Sequence, residues 1–532
     1  MRTIKSKSPG IILLVIIVYF VLLYIVLNYW TYSVGFNNRL LTTLSFISAT
    51  IWWCILFWAM HHTTFQFVSL YNSSKLNITE AEEEIIKKEQ VSIAIVYPTC
   101  NDLDEEALKS CFNQTYTNFH VYICDDSYID SIKERINTLS YENSTICTVI
   151  RRNDNKGYKA GNLNNAITKN IKEDWICLAD SDQFFGNDFL TKICNEIPFN
   201  SSMISYIQAR NVARLITDMS EFQNVMKDEI TLYYTRDLYS RDKYGFVPLL
   251  GHGALINRKI FLELGGFPEL VSEDFSFALN SLSKGYRNLY AQNVQSYELY
   301  PFDFGAFVIR MKKFSGAASE LIRKMVPRFL FSQKVSKIEK WDFSIMLLWY
   351  ILMPFILVNG FISAYVTHSF WINEIPFIHP ILPYIYSYML ISILLIINSC
   401  QEKSFSSSLK FYFWTSAVYS STMPIASYNF IKGFFIKPKF IITPKEKKIN
   451  KINKVNITVN VIFGCFGIIF SLKYWSPFSW FLLGYSLSYC FFPFYMHINN
   501  KNLIGYLTRS ILIYIPGLFM FWALISLWKQ IL

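Results

Sequence analysis

Trp175-Ile176-Cys177-Leu178-Ala179-Asp180-Ser181-Asp182-Gln183 decides how this chain is read. The short unbroken apolar run has the make-up of a strand buried on both faces, as in a parallel sheet. It ends in two aspartates spaced two apart. On an extended segment such residues face the same way, so both carboxylates can approach one hard cation. Magnesium or manganese is usually held by one or two carboxylates together with substrate phosphates. Asp-x-Asp alone is a weak sign; at the end of a buried-type strand it is stronger.

Working outward, Val91–Tyr97, Phe119–Cys124 and Cys147–Arg151 read as further strands, with helical patterns at Leu103–Cys111 and Ala160–Lys169. Such alternation predicts a mostly parallel sheet covered by helices, with ligands at the carboxyl ends of its strands. The first strand runs into Pro98-Thr99-Cys100-Asn101-Asp102 and the second into Asp125-Asp126-Ser127. Taken alone, each is an ordinary turn or helix cap. Lys156-Gly157-Tyr158-Lys159-Ala160-Gly161-Asn162 permits close backbone approach at a helix start, and Lys159 offers a cation to an anionic ligand. Ser272-Glu273-Asp274, after Gly265-Gly266-Phe267, reads either as a helix N-cap or as an acidic pair at the same site.

Composition places this α/β unit among membrane segments. The 532 residues are 52% hydrophobic and only 17% charged, where an ordinary soluble domain carries about 25% charge. Runs of roughly 20 apolar residues suit bilayer spans. They lie at Ile11–Trp30, Leu40–Met60, Trp341–Val366, Pro376–Ser399, Val459–Trp475, Pro477–Met496 and Leu503–Trp528. Leu409–Phe435, interrupted by Pro424 and Gly433, reads as an interfacial or broken helix. Phe302–Lys340 mixes Phe, Ile and Leu with Lys and Arg, the pattern of amphipathic helices on a membrane face. The expected divisions are a transmembrane hairpin and linker (1–87), a soluble domain (88–300), amphipathic interface helices (301–340) and a C-terminal transmembrane region (341–532). The last includes an interface helix at 405–435 and a basic loop at 437–450.

Arg2, Lys5 and Lys7, with the lysines of the basic loop, place the soluble domain in the cytoplasm of a multi-pass plasma-membrane protein. Six scattered cysteines in that domain, with no Cys-x-x-Cys, fit a reducing compartment and no zinc site. Net charge is +11, which suits nucleic acid, anionic lipid or a phosphorylated substrate. Beside the spans, we expect membrane lipid and a phosphorylated substrate, and no nucleic acid.

Pro98-Thr99, Asp125-Asp126, Lys159-Ala-Gly-Asn-Leu-Asn, Asp180-Ser-Asp182, Gly265-Gly-Phe and Ser272-Glu-Asp274, in that order, resemble the inverting family 2 glycosyltransferases. The likeness is strongest to the membrane-embedded processive branch of cellulose, curdlan and hyaluronan synthases. It implies a GT-A (Rossmann-like) fold for the cytosolic domain, which the apolar runs place between about seven transmembrane helices. It implies a UDP-sugar donor, UDP-glucose before UDP-GlcNAc, a growing polysaccharide acceptor, and Mg2+ or Mn2+ on Asp180 and Asp182. In that pattern Asp125 or Asp126 meets the nucleobase, Thr99, Lys159 and Asp180 help hold the nucleotide sugar, and Asp274 is the general base with Glu273 beside it at the acceptor.

Two more elements bear the resemblance. Arg310-Met311-Lys312-Lys313-Phe314 stands where the family has Gln-x-x-Arg-Trp, which contacts pyrophosphate and stacks on the terminal sugar. The cation is kept as Lys313 and the aromatic as Phe314, while Arg310 replaces the Gln. Phe offers a smaller stacking face than Trp, and Lys cannot grip phosphate bidentately. Phe440-Ile-Ile-Thr443-Pro-Lys445 resembles the Phe-x-Val-Thr-x-Lys gating loop that closes over nucleotide. The implied activity is polymerisation of a β-linked glycan, with export through the enzyme's own channel. Two other readings share parts of this sequence: a transferase charging a polyprenyl phosphate, and a transporter carrying a degenerate transferase domain.

Overall fold

The computed structural model describes residues 10–33, 39–76, 91–198, 201–217, 219–372, 393, 395–397, 404–439, 454–476 and 479–495. Eight strands form one sheet: β1 (Ile93–Thr99), β2 (Phe119–Asp125), β3 (Cys147–Arg151), β4 (Trp175–Leu178), β5 (Phe184–Phe185), β6 (Ile204–Ala213), β7 (Ala254–Asn257) and β8 (Arg287–Glu298). Their order is β3-β2-β1-β4-β7-β6-β8-β5. The sequence reading of a mostly parallel sheet holds for β3, β2, β1 and β4, which pair in parallel. It fails beyond β4. Strand β7 is antiparallel to both β4 and β6, β8 returns parallel to β6, and β5 pairs antiparallel with β8, so the sheet is mixed.

Alternation along β1 divides two cores. Ala94 and Val96 pack with Ala160, Leu163 and Ala166 of the helix Tyr158–Lys169 and with Phe277 and Leu282 of the helix Glu273–Lys284. Ile93, Ile95 and Tyr97 pack on the other face with Ala107, Leu108, Ile136 and Phe189. Each large apolar side chain so buried contributes about 1.5–3 kcal/mol. The first core continues into Ala318, Leu321, Phe329, Phe343 and Phe430. The sheet is therefore welded to the helices that follow it.

Those helices are Phe304–Lys324, capped by the Asp303 carboxylate on Ala306 N–H at 2.8 Å, then Val326–Phe331, and Lys337–Ile372. The third starts inside the stretch expected to lie along the interface and runs on unbroken as an apolar helix. Phe405–Phe435 is likewise one helix, and the break expected at Pro424 and Gly433 is absent. Gly433 instead lies where any side chain would strike Ser319 of the helix Phe304–Lys324, and its carbonyl accepts from Arg323 Nη2 at 2.8 Å. Here glycine serves helix packing.

At the N-terminus, helices cover Gly10–Ser33 and Arg39–Leu76, the second reaching well past the span expected to end at Met60. Its extension docks on the α/β domain: Phe65 is wholly buried and its carbonyl accepts from Ser240 Oγ at 2.5 Å. Asp342 ties Arg241 (3.1 Å) and the Phe246 N–H (2.8 Å) beside it. Among the described residues, two helices are long and apolar enough to cross a membrane, within Arg39–Phe65 and Lys337–Phe370, while Leu13–Ile25 and Thr458–Lys473 are shorter apolar helices. A helix also covers Ser479–Tyr495. Leu503–Trp528 and nearly all of Pro376–Ser399 lie outside the described residues, as does the expected gating loop with Phe440, Thr443 and Lys445.

Candidate active site

A cavity of about 1490 Å3 opens at the carboxyl ends of β1 and β4. Thr99, Asp126, Lys159, Asp180, Asp182, Glu273, Asp274, Arg310, Lys313 and Phe314 all line it. Sites spread over more than 200 residues of sequence thus converge in one place.

At the first strand end, Thr99 Oγ1–H donates to Asp102 Oδ1 (3.0 Å), and Asp102 Oδ2 accepts from Ser181 Oγ (2.8 Å). This joins the β1 and β4 exits. The adjacent aspartates after β2 part company. Asp125, 2% exposed, accepts from Ser127 N–H and Arg151 Nε and does not reach the cavity. Of the two candidates for the nucleobase, only Asp126 faces the space. Arg152 holds it bidentately at 2.8 and 2.6 Å while binding the carbonyls of Lys156 and Tyr158. Asp126 is paired by Arg152, which sequence reasoning passed over; an arginine directly after β3, at register with the β2 exit, was the available signal.

Lys159 is the hub. Its Nζ donates to Asp180 Oδ1 at 2.5 Å and to the Gly251 carbonyl at 3.0 Å, and lies 3.9 Å from Glu273 Oε1. Burial alone would lower its pKa, but Asp180 and Glu273 more than offset this and raise it. Asp180 and Asp182 do not sit on a straight strand as the two-residue spacing suggested. Strand β4 stops at Leu178, and a turn closed by Gln183 N–H on the Asp180 carbonyl gives the two carboxylates different partners. Asp180 turns to Lys159, while Asp182 Oδ2 accepts from Leu299 N–H at 3.0 Å. Among the described residues, no group of three His, Cys, Asp or Glu side chains is placed to hold a metal. Two hard carboxylates at the cavity wall still fit a cation whose remaining ligands are substrate oxygens.

Glu273 and Asp274 open the helix Glu273–Lys284, where its unpaired N–H groups favour negative charge. Asp274 Oδ1 accepts from Phe275 N–H at 2.7 Å. Its Oδ2 lies against Gly251, whose φ of 79° and lack of a side chain leave the room: a Cβ there would stand 2.9 Å from that oxygen. Burial raises the Asp274 carboxyl from its ordinary value. Glu273, 5% exposed, is pushed up to about 7 by burial and then by the charge of Asp274. Burial lowers the Lys313 ammonium, with the carboxylates of Glu273 and Asp274 opposing. A buried carboxylate raised toward neutrality is a suitable general base.

Burial raises both carboxyls, so a base drawn from this pair gains its proton above the ordinary carboxylate range. Ionisation is required for proton abstraction, hence activity falls on the acid side. We expect kcat/KM to fall about tenfold per pH unit along that acid limb, with the midpoint above the ordinary carboxylate range. A pH–rate profile whose acid limb lies near 4 would show that neither carboxylate is the base in this environment.

Arg310 lies over the rings of Tyr300 (5.1 Å) and Phe314 (5.3 Å), so the interface element is built as a cation between aromatics. Beyond it Glu229 accepts hydrogen bonds from Tyr300 and Tyr419. The cavity then continues between helices, past Trp58, Trp349, Tyr350, Tyr485 and Tyr489. Trp349, Tyr350 and Tyr419 face this space. Trp414 and Tyr428 do not: Trp414 is buried against Phe222, and Tyr428 is turned outward beneath Lys432. Sequence reasoning also missed Glu229, Glu298 and His252 on the cavity wall.

Residues 175–397 match the sequence family described as glycosyl transferase family group 2. The chain is 28% identical over 223 residues to UDP-Glc:alpha-D-GlcNAc-diphosphoundecaprenol beta-1,3-glucosyltransferase WfaP of Escherichia coli, covering 40% of this chain and 76% of that one. It is 26% identical over 268 residues to glucomannan 4-beta-mannosyltransferase 1 of rice (Oryza sativa subsp. japonica), covering 48% of this chain and 49% of the rice enzyme. It thus spans about half the length of the latter. Among solved structures, the mannosyltransferase PcManGT from Pyrobaculum calidifontis, in complex with GDP-Man and Mn2+, is 16% identical with TM-score 0.45, covering 74% of this chain and all of that one. The likeness to glycosyl transferase family group 2 thus falls on residues 175–397, which include β4 with Asp180 and Asp182 and run through a mixed, Rossmann-like sheet.

Proposed function

We propose that the protein is an inverting hexosyltransferase of the plasma membrane that builds a β-linked glycan from a UDP-sugar, UDP-glucose in the first place and UDP-GlcNAc in the second. It spans the membrane several times with the transferase domain in the cytoplasm, and the product passes into the space between its own helices. One observation carries this reading: a single cavity runs from the carboxylates at the strand ends to an aromatic-lined space between apolar helices. Tyr and Trp offer sugar rings a flat apolar face and their hydroxyls a polar tip.

The residues divide the chemistry among them. Asp274 takes the proton of the acceptor hydroxyl as it attacks the anomeric carbon. The nucleoside diphosphate leaves from the opposite face, so the centre inverts in one displacement, by the logic of an inverting glycosidase. Lys313 supplies positive charge toward the leaving diphosphate, and Lys159 keeps Asp180 and Glu273 in place. Asp180 and Asp182 would hold Mg2+ or Mn2+, which when bound supplies further stabilisation of diphosphate charge. Phe440, Thr443 and Lys445 would close over the nucleotide.

A second reading has its own support. The Escherichia coli relative is named for a diphosphoundecaprenol-linked acceptor, and Arg310 and Phe314 depart from the processive pattern. One experiment separates the two. Reconstitute the full chain in sealed vesicles with the transferase domain outward and supply radiolabelled UDP-glucose, with and without polyprenyl-diphosphate acceptor. Alcohol-insoluble glycan protected from added glycosidase is the expected result. Label found only in solvent-extractable lipid, as single additions, would replace polymerisation with lipid-linked transfer.

A further inference from the structure

Three residues, Gly251-His252-Gly253, form a loop at the cavity wall built to hold one imidazole in one place. Both glycines have positive φ, 79° and 56°. A Cβ at Gly253 would stand 2.6 Å from Asn211 Oδ1 and closer still to Ser296 Oγ, so neither glycine has a substitute. Ser296, the register partner of Asn211 across β6 and β8, donates its hydroxyl to Asn211 Oδ1. The amide Nδ2 donates to the Tyr234 hydroxyl at 2.8 Å and faces His252 Nδ1 at 2.7 Å. An amide nitrogen can only donate, so Nδ1 is the unprotonated nitrogen and Nε2 carries the hydrogen. Nε2 points at Glu298 Oε2, 3.3 Å away.

Asn211 and Ser296 are wholly buried, and the β6–β8 ladder already joins their strands. Their side chains add a fixed imidazole tautomer, the arrangement that orients a working group beyond it. That group is Glu298. Both it and His252 line the cavity at 13% exposure. They stand between the two ends of the site: Gly251, before His252, touches Lys159 and Asp274, and Leu299, after Glu298, holds Asp182. A carboxylate oxygen accepts, so a donor such as a sugar hydroxyl is its complement in that position.

We propose that Glu298, oriented by the imidazole of His252, accepts a hydrogen bond from a pyranose hydroxyl at the transfer site and so helps set which hexose is used. Glu298 is the contacting residue and His252 the positioning one. The inference rests on the glycosyltransferase reading and names a recognition group within it.

The test uses the full chain with UDP-glucose and its monodeoxy analogues as donors, and a glucose-ended oligosaccharide and its monodeoxy analogues as acceptors. Wild type is expected to lose about ten- to a hundredfold in kcat/KM for one particular deoxy sugar, the cost of an unpaired charged acceptor. In Glu298→Gln and His252→Leu that penalty should largely vanish, while affinity for UDP alone stays as in wild type and reports an intact fold. His252→Gln, which keeps a donor toward Glu298, should restore it. A penalty on the donor series assigns the hydroxyl to the donor hexose, and one on the acceptor series to the acceptor; either supports the proposal. Glu298→Gln with the full wild-type pattern of deoxy penalties would overturn it. Wild type that neither binds UDP nor transfers from any UDP-sugar would overturn the underlying reading, and this one with it.

Discussion

Asp274→Asn is expected to reduce glycosyl transfer by about two orders of magnitude or more, the usual contribution of a positioned base. The substitution is chosen because it leaves the local structure intact. The asparagine carbonyl still accepts from Phe275 N–H, as Asp274 Oδ1 does at 2.7 Å. Only the capacity to take a proton is lost. Nucleotide-sugar affinity, measured by calorimetry, should change little, because the loss falls on a group that acts in the transition state. Glu273 is the control. The charge of Asp274 is the second cause of its raised pKa, after burial. In Asp274→Asn, Glu273 therefore ionises at lower pH and should sit closer to Lys159, yet its carboxylate should not restore the rate. Near-wild-type turnover in Asp274→Asn, with Glu273→Gln inactive, would move the base to Glu273.

How much of this was legible beforehand varied along the chain. Strands β1 and β4 were readable as apolar runs buried on both faces, and β2 and β3 as short runs rich in Val and Ile, the observed Cys147–Arg151 coinciding with its sequence assignment. Strands β6 and β8 were not. They bury Gln208, Asn211, Asn288 and Ser296, which are satisfied by hydrogen bonds to one another, to Tyr206 and to loop carbonyls. Buried polar residues paired only in the fold leave no apolar signature. The π-helical turn Tyr233–Leu238, which brings Tyr234 to Asn211, is invisible for the same reason.

At the site, the acidic positions could be found because carboxylates after strands are conspicuous. What each carboxylate does could not. Asp125 and Asp126 are neighbours of one type, and only the placement of Arg151 and Arg152 makes the first structural and the second part of the cavity. The turn after β4 similarly converts a two-residue spacing into carboxylates with separate tasks. Sequence shows which groups are present; the chain's return through β7 and β8 decides their partners.

Removing divalent cation with EDTA is expected to abolish transfer, and Asp182→Asn to reduce it by about two to three orders of magnitude, equivalent to several kcal/mol of lost charge stabilisation on the departing diphosphate. Asparagine is preferred to alanine here. Asp182 Oδ2 accepts from Leu299 N–H at 3.0 Å and so anchors the segment that leads from β8 toward the helix of Arg310 and Lys313. Alanine would free that segment and confound a missing charge with a displaced Lys313. The asparagine carbonyl keeps the anchor and removes only the negative charge. The expected result is a folded variant whose residual activity needs a higher Mg2+ or Mn2+ concentration than wild type, read from metal titrations of the rate. Asp180→Asn should differ in kind, because Asp180 also holds Lys159 at 2.5 Å. Losing that charge frees Lys159 toward Glu273 and should move the acid limb of the pH profile to lower pH as well as weaken metal use. Asp182→Asn with wild-type rate and wild-type metal dependence would reduce Asp182 to the anchor of Leu299 and leave the cation, if one is used, to other oxygens.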